Sequence, residues 1–150
     1  MNGVVIAAAW AAAGLNAAAA VWGAVCWSRF LHSPAFWVLA RLGQTGIVVF
    51  ALVCGVLAIA GHRPDEGLFW VYVLVPLGLS FVAEQFRLVS ARTVLDAREL
   101  PDAQAVAALP LQEQEWIRTL VRRRETGVMT LAAAANAFLL ARAALTAAGF

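Results

Sequence analysis

The chain has 150 residues, 63% of them hydrophobic and only 13% charged, with a formal net charge of +2 and a mean hydropathy of +0.79. A soluble domain covers itself with roughly a quarter charged residues, so this composition excludes a soluble enzyme, a nucleic-acid-binding module and a disordered tail. Lipid must cover what charge does not.

A membrane span needs about 20 mainly apolar residues to cross about 30 Å of hydrocarbon. Four stretches qualify, near 4–27, 36–61, 68–89 and 127–148. Lipid offers the backbone no hydrogen-bond partner, so each is expected to be a helix. The fold class is all-α: a polytopic membrane protein, a four-transmembrane-helix bundle forming one transmembrane domain over 1–150. The first span has no basic residues before its apolar run, which reads as a retained span and not a cleaved signal. The links after spans one and two are short, so those helices are expected to be antiparallel neighbours.

The third connection, 90–126, is a soluble arm. Pro101-Asp102 predicts a helix start with Asp102 near its N-cap, and Leu109-Pro110 a break. A second helix follows from Leu111, with no breaker before Gly127. On it Trp116, Ile117, Leu120 and Val121 recur at helical spacing, an apolar face for the membrane surface or a partner, or for packing of this interfacial helix on its own bundle.

All eleven basic residues are Arg, a bias typical of a GC-rich bacterial genome. Arg29 lies in the first loop, and Arg87, Arg92, Arg98, Arg118, Arg122, Arg123 and Arg124 lie in or beside the arm. The positive-inside rule then places loops one and three in the cytoplasm and both termini outside, in a bacterial inner membrane. Trp27, Trp37 and Trp70 near span ends read as an interfacial belt.

Polar groups inside a span are costly and therefore informative. Gln44 and Asn136 lie about 12–13 Å from the cytoplasmic ends of spans two and four, counting about 1.5 Å per residue. Asn16 and Ser80 fall at a similar depth in spans one and three. Arg41 shares a face with Gln44, and Glu84 with Ser80. Both charges are about 7 Å deep and are expected to pair across spans two and three. The layer Asn16, Arg41, Gln44, Ser80, Glu84 and Asn136 is either helix–helix glue or the wall of a polar pocket open to the cytoplasm. Pro76 is expected to kink span three. Ala-rich spans one and four are expected to pack closely.

No catalytic, cofactor-binding or metal constellation is read. His32 and His62 fall at opposite faces and cannot clamp one haem. Cys26 and Cys54 form no CxxC pair, fall in opposite leaflets, and read as small apolar residues.

The segments Gly61-His62-Arg63-Pro64, Phe81-Val82-Ala83-Glu84-Gln85-Phe86-Arg87 and Val121-Arg122-Arg123-Arg124-Glu125-Thr126-Gly127-Val128-Met129 resemble those of uncharacterised small four-helix integral membrane proteins of actinobacterial type. That resemblance implies a four-helix membrane protein and no activity.

Three function classes remain. The first is a non-catalytic accessory or assembly subunit of a larger membrane complex, or a homo-oligomer. The second is a small oligomeric transporter or channel using the polar layer. The third, an enzyme acting on lipid or quinone, lacks a second catalytic group at the depth of Glu84. The expected partners are membrane lipids and further copies or other membrane subunits, with no nucleic acid.

Overall fold

The computed structural model describes residues 2–65 and 67–147. Six helices follow one another: α1 (Asn2–Ser28), α2 (Pro34–Ile59), α3 (Leu68–Leu88), α4 (Ser90–Asp96), α5 (Ala103–Ala107) and α6 (Leu111–Leu145). Among the described residues there is no strand. Four of the helices, α1, α2, α3 and α6, are long and apolar enough to cross a membrane.

The local chemistry accounts for the boundaries. Pro34 opens α2, where a missing N–H breaks no helical bond. The Asp102 side chain caps α5 by accepting from the Ala105 backbone N–H at 2.8 Å. Pro110 precedes α6, as the Leu109-Pro110 break predicts. Three helices end alike, with a residue in the left-handed region and a backbone bond reaching back five residues. Gly61 takes that position after α2, and Phe30 and Glu99 take it after α1 and α4.

With no breaker before Gly127, the helix that starts at Leu111 continues into the fourth apolar stretch, and α6 runs unbroken for 35 residues from Leu111 to Leu145. Gly127 lies inside this helix, and the Trp27 indole occupies the space its side chain would fill. A Cβ there would meet Trp27 Cε2 at 2.9 Å. α3 passes through Pro76 as one helix from Leu68 to Leu88, with Pro76 buried. Residue 148, the last of the expected fourth span, lies outside the described residues.

The most extensive packing joins α1 to α6, followed by α1 to α2 and α3 to α6. α1 and α6 run antiparallel: Gly23 faces Thr130, and Trp27 faces Gly127. Small residues let the two backbones approach, with Ala9, Ala12 and Ala19 of α1 and Ala133, Ala143 and Ala144 of α6 all buried. Two apolar cores result. One, towards the α2–α3 loop, gathers Val5, Ile47, Phe50, Phe69 and Leu140. The other, towards the α1–α2 loop, gathers Cys26, Phe36, Ala40, Ala83 and Met129. Cys26 and Cys54 are free thiols, one in each core.

Candidate functional site: a polar belt between two cores

The polar side chains fall between the two cores along the chain. Asn16 lies between Ala13 and Cys26 on α1, and Gln44 between Ala40 and Ile47 on α2. Ser80 lies between Val73 and Ala83 on α3, and Asn136 between Ala132 and Leu140 on α6. The four helices thus contribute to one belt, but the belt is stitched in separate seams and does not converge on one cavity.

In the α1–α2 seam, Asn16 is 2% exposed. Its amide donates to the Ala12 carbonyl at 2.9 Å and across the seam to the Gly43 carbonyl at 3.2 Å. Gly43 permits this approach, since a Cβ there would stand 3.0 Å from Asn16 Oδ1. In the α3–α6 seam, the Asn136 amide donates to Ser80 Oγ at 3.0 Å. Its carbonyl oxygen is buried without a partner among the described residues.

The α2–α3 seam carries the charge. Glu84 receives three donor side chains. Arg41 Nη1 reaches Oε1 at 2.7 Å, Gln44 Nε2 reaches the same oxygen at 3.0 Å, and Arg87 Nε reaches Oε2 at 2.8 Å. Arg41 also donates to Gln44 Oε1 at 2.8 Å, closing a triangle. The Arg87 guanidinium lies 5.8 Å from the Trp37 ring centroid. The Arg41–Glu84 pair expected from depth is therefore present. Arg87 completes it, three residues from Glu84 on the same helix face. That spacing is visible in the sequence, although it gives only a polar extension there and not a direct partner. The cluster is not sealed: the Arg41 side chain is 52% exposed, against 21% for Glu84.

The arm residues separate. Ile117 is 5% exposed and Trp116 is 49% exposed. Ile117 and Val121 face a groove with α4 and α5, through Leu95 and Val106, whereas Leu120 lines another groove beside Trp27 and Val94. The four residues expected on one apolar face, for the membrane surface or a partner, thus point to three surroundings, and Trp116 is the most exposed of them. The reason is that α4 and α5 fold back onto α6 and take up part of its apolar circumference.

Among the described residues, no three His, Cys, Asp or Glu side chains gather in a way that could hold a metal ion. His32 is exposed in the α1–α2 loop, and His62 lies in the α2–α3 loop with a buried Nδ1 that has no partner among the described residues. Comparison with known proteins brings no relative: no family, curated protein or solved structure matches the chain. Four apolar helices suggest a membrane protein, and the reading of its role rests on the geometry above.

Proposed function

We propose that the chain is a non-catalytic subunit of a larger membrane assembly, presenting its α2–α3 face to another transmembrane segment. The observation that carries this reading is the half-exposed Arg41 of the Arg41–Gln44–Glu84–Arg87 cluster. In a monomer placed in lipid, that guanidinium would border hydrocarbon, where an uncovered charge is costly. A neighbouring helix covers it. Around it, Val38, Val48 and Leu52 on α2 and Phe81 on α3 are exposed apolar side chains, suitable for helix–helix packing. Loops one and three then lie in the cytoplasm and both termini outside, as the Arg distribution favours.

The engagement of Glu84 supports this role over the alternatives. Both its oxygens accept hydrogen bonds, so no free carboxylate stands ready to relay a proton or serve as a base. The division of the belt into seams likewise favours helix–helix glue over a transport path.

The test is photo-crosslinking in native membranes from Val38 and Phe81, paired with native mass spectrometry of the gently extracted protein. Adducts to a second polypeptide and a heteromeric or multimeric mass are expected. Adducts to lipid alone, with a monomeric mass, would overturn the reading.

A further inference from the structure

A groove of about 530 Å³ opens where α1 ends, between α4 and α6, a volume within the range of ligand sites. Its floor is apolar, formed by Trp27, Val94, Leu120 and Val128, and its rim carries Arg98, Arg123 and Arg124. No carboxylate lines it. Both ion pairs among the described residues converge on Glu84 of α3, so neither engages these three guanidiniums. Arg123 rests on the Phe30 ring, 4.1 Å from its centroid.

The groove continues. Val128 and Leu131 also line a second depression of about 290 Å³ between α3 and α6, whose other walls include Leu79, Val82 and Phe86. Every residue lining this second depression is apolar. From Arg124 to Ala132 along α6 is about 12 Å, and over that length the surroundings change from three cations to none. A charged mouth leading into an apolar channel, at the level where α6 passes from its Arg-rich to its apolar half, matches an amphiphile with an anionic head.

We propose that this composite groove binds one acidic phospholipid. The phosphate sits among Arg98, Arg123 and Arg124, and an acyl chain follows Val128 and Leu131 into the α3–α6 channel. Guanidinium groups suit a phosphate because their donors lie in a planar fork. The inference rests on the membrane reading above, but not on the partner assigned to the α2–α3 face.

The test begins with an alkaline carbonate wash of native membranes, since release of the chain there would remove the membrane reading itself. The full-length protein is then placed in nanodiscs of phosphatidylcholine with a minor fraction of phosphatidylglycerol, and retained lipid is read by native mass spectrometry. One phosphatidylglycerol retained in preference to phosphatidylcholine is expected. Each single change among Arg98→Gln, Arg123→Gln and Arg124→Gln should weaken retention about fivefold, and the triple variant about a hundredfold. Arg92→Gln and Arg118→Gln, outside the groove, should change it little, which separates this site from a general surface charge. Val82→Trp, filling the channel but sparing the cations, should also lower retention. Equal retention of the two lipids, equal losses from the control variants, or saturation by inorganic phosphate with no lipid held would each overturn the proposal.

Discussion

The α1–α6 pair and the α2–α3 pair solve the same problem in opposite ways. In the most apolar stretch of α6, 44% of residues are buried within the chain, against 22% for α2 and for α3. The first pair is joined by small side chains in close backbone contact. The second is joined by one carboxylate shared among three donors. Within lipid, apolar side chains gain little from leaving a solvent that is itself apolar. Close packing and internal hydrogen bonds are what remain, and this chain uses each in a different seam.

The contrast makes substitutions at the tight seam the most damaging. Gly23→Ala places a methyl group against Thr130 and Phe36. Phe36 is 1% exposed, and the Thr130 hydroxyl is tied to the Thr126 carbonyl at 2.7 Å. Neither has room to retreat, so a loss of about 2–3 kcal/mol is expected in unfolding from detergent micelles. Gly55→Ala on α2 meets nothing within 4 Å and should be neutral or stabilising by up to about 1 kcal/mol. Equal losses at both sites would erase the distinction between the pairs.

The ionic seam should respond next. Glu84→Gln removes the one anion that serves both Arg41 and Arg87, and a cost of about 2 kcal/mol is expected. Arg41→Gln, at the half-exposed end, should cost less than about 1 kcal/mol in detergent. A larger Arg41 effect in native membranes than in detergent would sharpen the case for a covering helix. A double-mutant cycle of the two isolates their coupling. Smaller still, Asn136→Ala should cost about 1 kcal/mol through its lost bond to Ser80.

The smallest effects concern the helix ends. Glu99 holds a positive φ of 56°, a conformation that costs a side chain about 1–2 kcal/mol. Glu99→Gly should therefore stabilise the arm modestly, by about 0.5 kcal/mol after the added chain entropy. Phe30→Gly relieves the same strain but loses the Arg123 stacking, worth about 0.5–1 kcal/mol, and should be nearly neutral. Thermal melts of the two variants read side by side test that difference.

Much of the architecture was legible because the bilayer asks a simple question of a sequence: where are 20 apolar residues without charge. Counting depth along each span also brought Arg41 and Glu84 together. What depth could not give is direction around the helix axis. α1 is so uniformly small and apolar that no stripe of residues marks its inner face, so nothing in the sequence says that Asn16 turns to Gly43. The arm is only partly legible for a related reason. Trp116 and Ile117 are adjacent and both carry large apolar surfaces, yet lie about 100° apart on a helix, and only the return of α4 and α5 decides which of them is buried.

The unbroken course of α6 has a mechanical consequence. At about 1.5 Å per residue, its 35 residues form a rod of about 52 Å. Nearly half of that, ahead of Gly127, carries the arm, and the rest is wedged against α1. Such a rod acts as a shaft with no joint. A partner that gripped Trp116 and turned it would also turn Asn136, twenty positions further on, and load the Ser80 bond. Because Trp27 fills the space beside Gly127, a bend there would have to displace the indole before it relieved the polar belt.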